Sequence, residues 1–478
     1  MAYRLLRDCL VIVAVLVGLL VPTHAGVERT ETEPVTFTRD ITPVLQRSCV
    51  SCHRPGSIAP MSLITYEDVR PWARAIKERI ARAPNDPERM PPWFIEKNVG
   101  IQKFKNDPSL SDDEINMIAA WVDGGSPRGN LKDLPTPREW PDGGWSIGTP
   151  DLIVSSPLVT VASAAADQNI QLQASPTGLT EDRYVKAVEI KETRPSEQRI
   201  ERIKGRAKGD LNYFVLHHAV ITGTSIQADG ETASDGFRFD PGAFRIVHEL
   251  GQNATLFPDD VGILLRAGSA LTWDIHTHSV GKEIVLRVDV AFTFHPTGYT
   301  PKYQQSAGSV SMTLASQADL DIPAGQDDVM VDGYYVMPQA AKILTFEPHL
   351  HSSGKRMCAE AIYPNGYREI LNCAGYNHNW VKVYNYEDNV APLLPERTII
   401  HMIAWYDNTL KNPRVVDSRN WKGFGSRSID DMSLMLPRVV YLTNEEFSQE
   451  VAARVAADGL SHTPAHLVHP RETDSSNR

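Results

Sequence analysis

Apolar residues recur at three- and four-residue spacing through Asp40–Cys52 and Tyr66–Ala83, a period that predicts helices. Ser111-Asp112-Asp113-Glu114 has the form of a capping box and opens a further helix over Ile115–Val122. Residues 35–125 are therefore expected to form a small all-α domain. Glycine and proline then crowd the stretch from Gly124 to Pro150, where no regular element survives, so residues 126–150 read as a linker. From Asp151 to about Leu442 the period changes. Arg183–Ile190, Tyr213–Ile221, Ile284–Phe294, Ala341–Pro348 and Thr398–Tyr406 are short, rich in β-branched or aromatic residues, and bounded by turn formers. Strands without intervening helices favour sandwiches. The length of this region suggests two, over residues 151–298 and 299–442. Glu192–Gly209 is highly charged and reads as a solvated excursion, and residues 443–478 as a helix followed by a polar tail.

The first 25 residues have the plan of an export signal. Arg4 and Arg7 precede an apolar stretch from Cys9 to Val21, and Thr23-His24-Ala25 offers small residues at the cleavage positions. That stretch is short for about 30 Å of hydrocarbon, so cleavage is expected and no stable membrane span remains. The mature chain is expected to be periplasmic or secreted. Its 48 Lys+Arg against 59 Asp+Glu give a net charge of −11, which argues against nucleic acid as a partner. After cleavage, Cys49, Cys52, Cys358 and Cys373 remain.

Cys49-Val50-Ser51-Cys52-His53 matches the C-x-x-C-H attachment pattern of c-type haem. Two thiols three residues apart can each bond one edge of a porphyrin, and His53 then presents its imidazole to the iron. A zinc site would want a second Cys/His pair nearby, and none exists. One covalent haem c is expected. Met61 and Met90 compete as the sixth ligand, with Met90 preferred because the two prolines of Met90-Pro91-Pro92-Trp93 stiffen its loop.

Histidine is concentrated at suggestive positions in the β-rich region. In a strand, residues i and i+2 share a face, so the imidazoles of His349-Leu350-His351 can reach one metal, as can those of His276-Thr277-His278. His217 and His218 are adjacent and would point to opposite faces except at a strand end or bulge. Imidazole-rich sites with few carboxylates suit copper or zinc, and an added thioether leans towards copper. Cys358 and Cys373 are symmetric about Asn365-Gly366, so an Asn-Gly hairpin would place them opposite one another as a disulfide. Two buried thiols are the alternative. His401, His378, His248 and His295 read as hydrogen-bonded structural residues.

The order His217-His218, His276, Pro348-His349-Leu350-His351-Ser352-Ser353-Gly354-Lys355, Asp407-Asn408 and Asp431-Met432 resembles the copper type II, ascorbate-dependent monooxygenases, which include peptidylglycine α-hydroxylating monooxygenase and dopamine β-monooxygenase. The resemblance covers roughly Asp151–Leu442. The segment from Cys49 to Trp93 is similar to cytochrome domains joined to bacterial proteins of this kind. The resemblance implies a cytochrome c domain followed by two jelly-roll-like sandwiches, with two copper ions facing one another across a solvent-filled cleft. His217, His218 and His276 would hold the electron-transfer copper. His349, His351 and Met432 would hold the copper that meets dioxygen and an organic substrate. His278 is a departure from the family pattern and a rival to His276, and Met435 is a rival to Met432. The implied activity is hydroxylation of a C–H bond; the attached haem is expected to replace or supplement ascorbate as electron donor to the first copper, with an external electron donor as a further partner. Electron transfer or copper handling without oxygenation is the alternative.

Overall fold

The computed structural model describes residues 34–194, 215–225, 244–303, 308–309, 312–313 and 319–458, apart from positions 56, 58, 60, 85, 141–143, 167, 250, 252–253, 426 and 428. The export signal and the polar tail beyond residue 458 lie outside the described residues, as does most of the charged excursion after Glu192. No helix among the described residues is long and apolar enough to cross a membrane.

Two antiparallel layers build the first β unit. One holds Leu152–Ser155, Val159–Val161, Arg183–Thr193, Ala254–Leu256, Ile263–Leu265 and Ile284–Phe294. The other holds Gln168–Pro176, Leu216–Ser225, Arg245–Glu249 and Ser269–Thr277. Val185, Val188, Val288 and Phe292 from the first layer meet Ile221, Ile246 and Trp273 from the second in one core. The second β unit is led by a sheet of Val329–Val336, Ile399–Tyr406, Gly354–Ile362 and Arg368–Gly375. Ile399–Tyr406 buries every second side chain, so Ile400, Met402, Ala404 and Tyr406 face the core while their neighbours face outward. Shorter strands close the other side, among them Ala340–Ile343, Pro348–His349, Leu434–Met435 and Arg438–Leu442.

The expectation of a small all-α cytochrome domain ahead of the sandwiches is overturned. Strand accounts for 35 % of the structure and helix for 16 %. In residues 35–125 the helices are short, Asp112–Asp123 being the longest at 12 residues. Phe37, Leu45, Val69, Ile80, Ile118 and Trp121 do share a core. Residues 93–105 leave it and pair with the second β unit instead. Ile95 bridges Ala374 and Phe104 bridges Tyr386. The amides of Glu96 and Ile101 donate to the carbonyls of Cys373 and Leu371, and Gly375 donates back to Phe94. Ile95 and Phe104 are buried in the second core. The physical reason is that the helical period stops near Ala83. The apolar residues from Trp93 to Phe104 lie in a stretch with prolines and a glycine and no helical period, so they find burial against a neighbouring sheet. Gly100 shows how close that approach is: its φ is +63°, and a Cβ there would overlap the Leu371 carbonyl.

Cys358 and Cys373 are cross-strand partners and form a disulfide. It closes a loop of 15 residues, so its removal by a Cys358→Ser, Cys373→Ser double variant should cost about 3 kcal/mol, read from denaturant unfolding. The helix Asn444–Asp458 lays Phe447 and Val451 on the first core. Burial alone would raise the pKa of Glu450. Hydrogen bonds from Lys302 and Tyr303 and the charges of Lys342 and Lys302 instead bring it down to about 2. A depressed carboxyl pKa contributes stability that is present above the unfolded value of about 4.3 and is lost as pH falls through about 2. Glu450→Gln should therefore lower stability at pH 7 by on the order of 2–3 kcal/mol and flatten its dependence between pH 4.3 and 2.

Candidate metal centre

His218 and His276 are cross-strand partners on Leu216–Ser225 and Ser269–Thr277. The register between these strands slips between Leu216 and His218. That slip is the bulge the adjacent pair requires, since it turns His217 towards the same side as His218. The Nδ1 atoms of His217 and His218 are 3.5 Å apart, and those of His276 and His218 are 3.3 Å apart. A ligand atom from each of the three lies within 4.8 Å of the others, and this is the one such group of His, Cys, Asp or Glu side chains among the described residues. Burial, then the neighbouring imidazoles, lowers the His218 pKa to about 2. The ring is a neutral lone-pair donor at any physiological pH. His278 stands at the rim, its ring centroid 6.0 Å from that of His217.

His349 and His351 come from the second β unit, with ring centroids 5.5 Å apart. The strand Pro348–His349 pairs with Leu434–Met435. The Nδ1–H of His351 donates to the carbonyls of Arg427 and Asp430, at 3.1 and 3.2 Å, which leaves the Nε2 lone pair for a metal. Burial lowers His349 to about 3 and His351 to about 4. Asp431 is fully buried and ties the loop together: Ser353 donates to it at 2.5 Å, and the Lys422 ammonium lies 3.4 Å away while donating to Ser352 at 2.6 Å. Met432 follows Asp431 and is half-buried, its carbonyl accepting from the Tyr406 hydroxyl at 2.7 Å. Met435 is a member of the second hydrophobic core, and packing accounts for it.

The two imidazole sets meet without an open gap between them. His378, expected to be structural, lies between them with its ring centroid 4.8 Å from that of His217 and 5.2 Å from that of His351. His276, His218, His217, His378, His351 and His349 thus form one row, buried except for the half-buried His218. His401 differs. Its ring nitrogens bond Glu360 and Asp332 at 3.0 and 3.1 Å, and its ring stacks on Tyr334. Sequence spacing separates these two histidines poorly, because each stands alone, His401 within an apolar strand and His378 between Asn377 and Asn379.

A carboxyl also enters the centre that spacing did not single out. Glu249 is the strand partner of His218 on one side, and its Oε1 lies 3.5 Å from Nδ1 of His349 in the other β unit. Burial and the neighbouring Glu347 push its pKa well above the ordinary range, and burial pushes Glu347 up to about 8. Glu249 therefore places a buried carboxyl where two sets of metal-ligand candidates meet.

The Cys49 and Cys52 thiols are half-buried and unbonded to other sulfur. His53 donates from Nδ1 to the Met61 carbonyl at 3.2 Å, which fixes the tautomer and leaves Nε2 for iron. Cys49, Cys52 and His53 are the residues that would hold a covalent haem. Met61 packs at the edge of the helical core, and Met90 is 40 % exposed. The segment that carries His378 reaches this side too. Asn377 donates to the Pro87 carbonyl at 3.1 Å, and the half-buried Lys382 ammonium donates to the Gly251 carbonyl at 2.9 Å. A cavity of about 430 Å³ is walled by Arg427, Asp430, Trp421, Phe424, Ile429 and Val416, and the first two are the residues whose carbonyls accept from His351. The apolar side chains of that wall are exposed.

No protein family and no curated protein matches the chain. Among solved structures it is similar to the cowpea mosaic virus top component, at 11 % identity over 66 % of this chain and 95 % of that one, with a TM-score of 0.29. It is also similar to PNGase F, a glycosylasparaginase from Flavobacterium meningosepticum, at 10 % identity over 60 % of this chain and 96 % of that one, with a TM-score of 0.23. At such scores neither likeness bears on the fold or the activity of this chain.

Proposed function

We propose that the chain is an exported haem- and copper-dependent monooxygenase that hydroxylates a C–H bond. In the overall reaction one atom of dioxygen enters the C–H bond and the other leaves as water, consuming two electrons and two protons. The observation that carries this reading is the convergence of His217, His218 and His276 with His349 and His351 on a buried centre shared with Glu249. Bound copper would supply one-electron chemistry towards dioxygen, and bound haem a store of reducing equivalents from an external donor. The depressed pKa values keep these imidazoles neutral, which metal binding requires. The Arg427 and Asp430 carbonyls hold His351 in one tautomer and orientation. Glu249 is placed to hold or release one of the protons consumed. Met432, beside the anchored Asp431, is the candidate thioether ligand of the His349 and His351 site.

The cavity whose wall includes Arg427 and Asp430, the residues that bind His351, gives an organic substrate a recess of mixed polar and apolar lining, a need that simple electron transfer does not have. Trp421→Ala should raise KM for such a substrate at least about tenfold with a smaller change in kcat. Metal analysis after dialysis tests the whole reading. About two copper and one haem per chain, with oxygen uptake matched by hydroxylated product, are expected. Two copper with no product from any substrate would leave the copper-handling alternative, and no copper would remove both.

A further inference from the structure

We propose that His378 is a metal ligand shared between the two histidine sets, one ring nitrogen serving the ion of His217 and the other the ion of His351. The inference rests on the two-copper reading above. Neither ring nitrogen of His378 has a hydrogen-bond partner, although both are buried and the residue is only 6 % exposed. A neutral imidazole carries one N–H and one lone pair, and leaving both unsatisfied costs about 1–3 kcal/mol for each. His401 shows what a structural imidazole in the same β unit does, with both nitrogens bonded to carboxylates.

The spacing of the rings agrees. With metal–nitrogen bonds of about 2 Å, two imidazoles on one tetrahedral ion have ring centroids roughly 5 Å apart. His378 meets that spacing twice, at 4.8 Å to His217 and 5.2 Å to His351, its ring tilted by 45° and 47° from theirs. The same spacing links His218 to His276 at 4.7 Å and His349 to His351 at 5.5 Å. Binding of the second ion releases the remaining ring proton to solvent, so both nitrogens become donors. Six imidazoles then serve two ions through one shared ring. The segment is tied to the loop that carries Met90, since Asn377, next to His378, donates to the Pro87 carbonyl at 3.1 Å.

Electron paramagnetic resonance with metal quantitation on the oxidised, haem-loaded, copper-loaded protein tests this. Wild type is expected to show a spin-coupled copper pair with a half-field transition. His378→Ala and the space-filling His378→Phe should show uncoupled type II copper signals, with one of the two ions bound at least about tenfold more weakly. Thermal unfolding of the metal-free variants identifies which of them folds. A wild-type protein that holds two copper ions as independent signals unchanged by either substitution overturns the bridge and leaves the two-copper reading standing. A wild-type protein without copper overturns both.

Discussion

Replacing His351 by alanine is expected to remove one of the two copper ions and to lower hydroxylation below detection, while the haem stays attached. The substitution deletes an imidazole whose tautomer is set by two backbone carbonyls, so no neighbouring ring can take its place without moving the Arg427–Asp430 loop. Restoring only the volume, as in His351→Phe, should not recover the metal. The check is copper per chain together with product per oxygen consumed. Retention of both ions and of the activity would show that His351 is a structural residue.

The largest expected loss of stability is at Asp431. Its carboxylate is fully buried and faces the Lys422 ammonium at 3.4 Å, with Ser353 donating to it. Burial raises its pKa, although Ser353 and Lys422 oppose the shift, so the charge is held at some cost. Asp431→Ala leaves the 8 % exposed Lys422 without that partner, and breaking a buried pair from one side costs about 3–5 kcal/mol. The double variant Asp431→Leu, Lys422→Met should cost less than Asp431→Ala alone, because no charge is then stranded. Urea unfolding of the wild type, Asp431→Leu, Lys422→Met and the double variant measures the coupling. Equal effects in the single and double variants would mean that the pair contributes nothing.

The residues that bear on the candidate centre were legible to different degrees, for reasons that can be named. Ile284–Phe294 could be read as a strand because its apolar and β-branched residues lie between turn formers. His349 and His351 could be paired because period two puts them on one face. His217 beside His218 looked inconsistent with one site until the bulge at Leu216 supplied the missing turn, and a bulge leaves little trace in a single sequence. His378 and Glu249 were not legible at all. Their places depend on how two sheets distant in sequence face one another, which local periodicity does not encode. The residues after Ala83 misled for a related reason. A helical start suggested an independent domain, but apolar side chains such as Ile95 and Phe104 carry no mark of which core will receive them.

Their destination has a consequence for how the chain can be divided. Residues 93–105 run along Arg368–Gly375, the outermost strand of its sheet, and occupy backbone groups that would otherwise be bare. Cutting the chain ahead of residue 126 would unzip that cover and leave a sticky border ready to recruit another molecule. The front portion is therefore no detachable accessory. It acts as a selvedge for the fabric behind it, and a shortened protein should precipitate or pair with its own copies well before its metal chemistry could be assayed.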